Sequence, residues 1–132
     1  MKKLLIIIFA LFLLTGCGNK DQKIAEQAES NSEGTVQNIT CAKMKTMLQE
    51  EDDVVLIDVR TPAEYEEKHL SKAINIPNES IKDIKDHEEI TKDTKIIVYC
   101  RSGARSSNSA NELINMGYKN VYNLGAMSNC SK

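Results

Sequence analysis

Seven consecutive residues, Cys100-Arg101-Ser102-Gly103-Ala104-Arg105-Ser106, combine a thiol, two guanidinium groups, two hydroxyls and a glycine. A thiol becomes a strong nucleophile when it loses its proton, and nearby positive charge and N–H groups decide how easily that happens. Gly103 can adopt backbone angles closed to other residues, so the loop can aim its N–H groups at one point. A helix opening after it adds the positive end of its dipole. Moving a thiol pKa from about 8.5 to about 6.5 takes roughly 2.7 kcal/mol of extra thiolate stabilisation. A helix end supplies about 0.5 to 2 kcal/mol of this and charge-assisted N–H bonds the remainder. Cys100 is therefore read as a nucleophile for covalent exchange, at the base of an open loop pocket, with a depressed pKa. Arg105 is expected to face that pocket, adding charge but little packing, and with Arg101 to steer an anionic substrate. The bland alternative, a structural cysteine beside a surface loop, gives two arginines and a glycine in six residues no packing purpose.

Such a loop needs a buried strand before it and a helix after it. Ile96-Ile97-Val98-Tyr99 is a continuous apolar run, the mark of a strand covered on both faces. Ser106 to Met116 reads as a helix with Ala110, Leu113 and Ile114 inward and Gly117 just past its end. Val54-Val55-Leu56-Ile57 is a second buried strand. Thr61-Pro62-Ala63-Glu64 then opens a helix with a capping box, Pro at the first helical position and Glu at the third. Val36–Ile39, Ala73–Ile76 and Val121–Leu124 read as further strands. Thr40 caps a helix over Cys41–Gln49, and Ser80–Asp86 is weakly helical. Strands alternating with helices predict an α/β fold with a parallel sheet, in which ligands bind beyond the carboxyl ends of the strands. Asp58 and Arg60 end the strand preceding the capping box. They read either as supports of the loop or, more simply, as a structural ion pair.

The N-terminal residues carry a different signal. Lys2 and Lys3 precede eleven apolar residues, Leu4 to Leu14, and then Leu14-Thr15-Gly16-Cys17. The apolar run suits a secretory leader and is too short for a permanent membrane span. Small residues before a cysteine resemble the lipobox of bacterial lipoproteins. That resemblance implies cleavage after residue 16, diacylglycerol on Cys17, acylation of the new amine and anchoring to the cell membrane on its extracytoplasmic face. An ordinary secretory signal with an incidental Cys17 is the alternative. Residues 17–35, rich in Gln, Glu, Asn, Ser and Lys, read as a flexible tether, and 36–132 as one domain. Without residues 1–16 the formal charge falls from -2 to -4, because two lysines and no acids are lost. Neither value suggests nucleic-acid binding.

The loop at Cys100–Ser106 is similar to the Cys-Arg-x-Gly-x-Arg-Ser pattern of the rhodanese superfamily. Asp58-Val59-Arg60, Glu64-Tyr65, His69-Leu70, Ala73 and Asn75-Ile76-Pro77 resemble its second motif, and Gly117 to Gly125 its final strand. The resemblance runs from Val36 to Cys130. It implies a three-layer α/β/α domain with a five-stranded parallel sheet in the order 3-2-4-5-1. It also implies a cysteine that cycles through a persulfide without metal or other cofactor, taking sulfur from a donor such as thiosulfate and giving it to a thiol or cyanide. Arg101, Ser102, Gly103, Ala104 and Ser106 would line the loop, and Cys100 and Arg105 would carry the chemistry. His69 falls in a turn, where a catalytic part is not expected. The chain departs from the pattern at Lys68 and Lys72, where the family usually has glycine, and at Cys130, near the usual place of a tryptophan.

Four residues separate Cys100 from Arg105, whereas cysteine phosphatases of this fold use five. The shorter ring suits one sulfur atom better than a tetrahedral phosphate. A sulfurtransferase therefore ranks ahead of a phosphatase or arsenate reductase-like enzyme, and a persulfide-holding relay without turnover is the alternative from another class. The implied strand order also sets the first and fifth strands side by side, which brings Cys41 towards Cys130. Three readings stay open for them: a disulfide, a resolving role in which Cys130 attacks the Cys100 persulfide, and two unrelated thiols.

Overall fold

The computed structural model describes residues 34–130. The leader, Cys17 and the tether up to residue 33 lie outside the described residues. At Gly34 the chain is already packed: a Cβ there would lie 3.0 Å from Ile114 Cδ1.

Five strands form one parallel sheet: β1 (Gln37–Asn38), β2 (Val54–Asp58), β3 (Ala73–Asn75), β4 (Lys95–Cys100) and β5 (Asn120–Ala126). Their order is β1-β5-β4-β2-β3, the expected order read from the other edge. Among the described residues three α-helices accompany them: α1 (Cys41–Glu50), α2 (Pro62–Glu67) and α3 (Ala104–Asn115). Two 3₁₀ segments, Asn78–Asp86 and Met127–Cys130, are also present among the described residues. The second of these was not anticipated from sequence.

Side chains alternate across a strand, so the buried run of β4 feeds two cores. Ile96, Val98 and Cys100 pack with Ala110 and Leu113 of α3 and with Ile81 and Ile84. Ile97 and Tyr99 face the other way, onto Met44 and Met47 of α1, with Cys41 and Cys130 at the margin. This is the three-layer α/β/α arrangement of the rhodanese-like fold.

Local chemistry explains the element ends. Thr40 Oγ1 accepts the Lys43 N–H at the start of α1. The capping box of α2 is complete: Thr61 Oγ1 accepts the Glu64 N–H, and Glu64 accepts the Thr61 N–H. Lys72 holds a positive φ of 68°, the left-handed conformation that glycine adopts most easily. Lys68 is extended and needs no glycine.

The structure joins Cys41 to Cys130, 89 positions apart in sequence, with Cα atoms 5.3 Å apart. A bridge closing so long a loop stabilises by roughly 4 kcal/mol in the chain-entropy picture.

Candidate active site

β4 carries Cys100 to the carboxyl edge of the sheet, and the chain reverses through Arg101-Ser102-Gly103. Gly103, at φ 101°, precedes α3. The turn takes one left-handed residue, so the helix begins at Ala104, two residues earlier than its apolar periodicity suggests. No side chain caps this helix end, which leaves its first N–H groups for another acceptor. The Gly103 N–H donates to Cys100 Sγ at 2.9 Å. Ser106 Oγ lies 3.6 Å from the sulfur and donates to the Gly103 carbonyl at 3.0 Å. A small rotation of that hydroxyl would turn its proton to a thiolate.

Burial pushes the Cys100 thiol up. The Ser106 hydroxyl and the N–H groups of Ser106, Gly103 and Ser102 outweigh burial, and hold the pKa below the ordinary thiol value. The open pocket expected around the sulfur is not what the structure shows. Cys100 is 0% exposed, because its side chain points into the core beneath α3 and the loop closes over it. Arg101, Ser102 and Ala104 are exposed and Gly103 half-buried; of these four, Ser102 and Gly103 offer backbone N–H groups to the sulfur.

Arg105 also departs from expectation. Its guanidinium does not face an open pocket but grips the Glu64 carboxylate, with Nη1 2.7 Å from Oε2 and Nη2 3.0 Å from Oε1. The fork of arginine matches the two carboxylate oxygens, and Glu64 already stands at the start of α2, where its cap holds it rigid. The Arg105 guanidinium and the Thr61 N–H together keep the Glu64 carboxyl well below the usual carboxylate range. A pocket of about 450 Å³ opens beside this pair, lined by Arg60, Glu64, Glu67, Lys68, Arg101 and Met127. Arg101 and Arg60 give this pocket positive charge beside the loop.

Asp58 and Arg60 form a buried ion pair. Arg60 donates to Asp58 through its backbone N–H, Nε and Nη2, the last at 2.7 Å. The Tyr99 hydroxyl also donates to Asp58 Oδ2, at 2.8 Å, and accepts the Leu70 N–H at 3.0 Å. Burial and this bond to Asp58 push the Tyr99 hydroxyl pKa far up. Arg60 further donates to the Lys68 carbonyl. The pair is thus a structural one that also ties the residue before Cys100 to the turn around Lys68–Leu70. His69 stacks on Tyr65 and contacts its carbonyl through Nδ1 at 2.8 Å, exposed and apart from the sulfur. Cys130, bonded to Cys41, packs in the cluster on the sheet face opposite the one that holds Cys100. The structure does not bring it to the Cys100 sulfur in a resolving role.

Glu64, Tyr99 and Met127 are site residues that sequence reasoning passed over. From sequence, Glu64 reads as a helix cap within the second family motif, and Tyr99 as part of a buried strand. Both carry a second partner that local pattern does not reveal. Met127 follows a bulge: β4 and β5 shift register between Val98 and Tyr99, so Val98 faces Asn123 while Tyr99 faces Gly125. Gly125, at φ 80°, absorbs the extra residue.

A family model described as a rhodanese-like domain matches residues 40–129. A protein named sulfurtransferase from Allochromatium vinosum is 38% identical over 89 residues, 67% of this chain and 81% of that protein. The thiosulfate sulfurtransferase PspE of Escherichia coli is 37% identical over 71 residues, 54% of this chain and 68% of its own. The thiosulfate sulfurtransferase GlpE of Coxiella burnetii is 33% identical over 72 residues, 54% of this chain and 65% of its own. A solved structure described as a rhodanese with anions from E. coli superposes with a TM-score of 0.54 at 35% identity, covering 58% of this chain and 89% of that one. With its loop, its sheet order and these likenesses together, the chain belongs to the rhodanese-like family.

Proposed function

We propose that this protein is a sulfurtransferase that moves sulfane sulfur through a persulfide on Cys100, and that lipid on Cys17 holds it at the extracytoplasmic face of the cell membrane. The observation that carries the catalytic reading is the Gly103 N–H donating to Cys100 Sγ at the uncapped start of α3. That geometry favours a thiolate and suits a second sulfur on the same atom.

The Cys100 thiolate attacks the outer sulfur of a donor such as thiosulfate. The donor's sulfur–sulfur bond breaks, and sulfite leaves with the electron pair. The Cys100 persulfide remains, its terminal sulfur anionic and within reach of the loop N–H groups. Cyanide or an acceptor thiolate then attacks that terminal sulfur, giving thiocyanate or a new persulfide and returning the Cys100 thiolate. Arg101 draws the anionic donor in. Arg105 stabilises the departing oxygens once the donor competes with Glu64 for its guanidinium.

The intact protein in detergent should turn over thiosulfate and cyanide, and Cys100→Ser should abolish turnover. A protein that never loads one sulfur atom on Cys100, by mass, removes this reading. The full enclosure of Cys100 favours one second reading, a relay that loads sulfur once and releases it only to a bound partner; loading without turnover would select it. Labelled palmitate incorporated by the wild type and not by Cys17→Ala tests the anchor.

A further inference from the structure

The bridge at Cys41–Cys130 stands where two surfaces meet. On its outer side is a groove of about 290 Å³ lined by Met44, Leu48 and Leu70, with Lys45 and Lys72 adding positive charge and Cys130 on its wall. Both cysteines are half-buried, so the bond is reachable from solvent. On its inner side the bridge ends the segment that lies against the catalytic loop. Ala126 pairs with Cys100. A Cβ on Gly103 would lie 3.8 Å from Gly125 Cα and 4.0 Å from Ala126 N. Met127 joins Arg101 and Glu64 around the entry pocket.

Besides the bridge, the turn Met127–Cys130 is held by partial packing of Met127 and Cys130 against the core. None of its residues is fully buried, and its Asn129 side chain makes one hydrogen bond, to the Leu124 carbonyl at 3.2 Å. Segments with few buried contacts open first. Cys100, at 0% exposure, needs part of its cover to move before a donor can reach it.

We propose that Cys41–Cys130 is a second, redox-active site: a dithiol reductant entering by the groove opens the bond, and release of the Met127–Cys130 turn loosens Gly125–Ala126 against Gly103, so that the loop covering Cys100 opens. A reductant thiolate attacks the sulfur of Cys130, the bridge residue that lines the groove. The protein's sulfur–sulfur bond breaks and Cys41 leaves with the electron pair. The reductant's second thiolate then attacks the mixed disulfide and releases Cys130. Two electrons pass to the protein, two protons are taken up from the reductant or solvent, and the reductant ends as its own disulfide. Lys45 and Lys72 favour the thiolates that take part. The inference rests on Cys100 as the working nucleophile, and it makes activity respond to the redox state of the compartment.

The test uses the full chain titrated with dithiothreitol, with iodoacetamide alkylation followed at the Cys100 peptide by mass. The bridge should open while far-UV circular dichroism is unchanged, and Cys100 should then alkylate at least about fivefold faster, as expected for local release. A Cys41→Ser/Cys130→Ser variant should show the fast rate without reductant and respond no further. A bridge that opens only as the fold melts, or a Cys100 rate that changes less than about twofold on reduction, overturns the proposal. If the double variant does not fold, the reduced wild type decides. Alkylation needs only a reachable thiolate. A responsive Cys100 in a protein without thiosulfate turnover therefore keeps the redox site and removes the sulfurtransferase reading.

Discussion

Arg60 and Arg105 each hold a carboxylate through a fork of N–H groups, in opposite surroundings. The side chains of Arg60 and Asp58 are 7% and 0% exposed. Those of Arg105 and Glu64 are 30% and 27% exposed. A buried pair has spent the hydration of both ions, so neither partner can be removed without stranding a charge. At the edge, water screens the loss of a partner, and an incoming anion can take its place. The same two functional groups therefore make a fixed strut in one place and, on the proposed mechanism, an exchangeable contact in the other. On the proposed mechanism Glu64 is an occupant of Arg105 that a donor's oxygens displace, whereas Arg60, though on the wall of the same pocket, keeps its guanidinium committed to Asp58 and the Lys68 carbonyl.

The largest effect is expected at the strut. Asp58→Ala leaves Arg60 buried without its partner and the Tyr99 hydroxyl without its acceptor, and should cost about 3–5 kcal/mol. The urea midpoint measures it; a fall no larger than that of Glu64→Ala would break the comparison. Next, Arg105→Ala should lower kcat/KM for thiosulfate about tenfold, which is about 1.4 kcal/mol in the transition state, while stability changes by less than about 1 kcal/mol. The variant loses a cation that interacts with Cys100, so the Cys100 alkylation midpoint, below the ordinary thiol value in the wild type, should rise. A loss of stability comparable to that of Asp58→Ala would place Arg105 with the struts.

Glu64→Gln sharpens the contrast from the other side. It frees Arg105 and should lower the thiosulfate KM by about threefold, with a stability loss of about 0.5–1 kcal/mol from the weakened cap. A raised KM would show that Glu64 positions Arg105 for the donor and does not compete with it. The smallest effect is in acid. The folded-state pKa of Glu64 is depressed, chiefly by Arg105. Its contribution is complete above the unfolded value of about 4.3 and is lost as pH falls towards the folded one. The stability gap between wild type and Glu64→Gln should stay level from about pH 8 to 5 and narrow below about pH 4, by a few tenths of a kcal/mol for so exposed a pair. A gap that widens in acid contradicts the assignment.

Much of the fold could be read from residues that act on near neighbours. The apolar runs at Val54–Ile57 and Ile96–Tyr99 lie in the strands they suggest. Thr61 and Glu64 make their capping box across three residues, and Gly117, at φ 92°, follows α3. Boundaries were less legible: α3 starts at Ala104 because Gly103 turns the chain in one step, an event with no hydrophobic period. The bulge at Gly125 and the turn after it follow from how β5 must meet β4, and neither strand's own sequence specifies that fit.

The sequence alone determined that a thiol stands at the end of a buried strand, next to a glycine and two arginines, ahead of a helix. Those properties depend on side-chain type, period and hydrogen bonds spanning a few residues. Tertiary structure decided where the charges go and what the sulfur can see. Arg105 meets Glu64 from 41 residues away, Tyr99 meets Asp58 across the same separation, and Cys130 meets Cys41 across 89. Each pairing exists because the parallel register sets the ends of β2, β4 and β5 along one edge, and β1 and β5 side by side. A charged group or a cysteine in sequence states what it can bind; only the register of the sheet selects, among several possible partners, the one within reach.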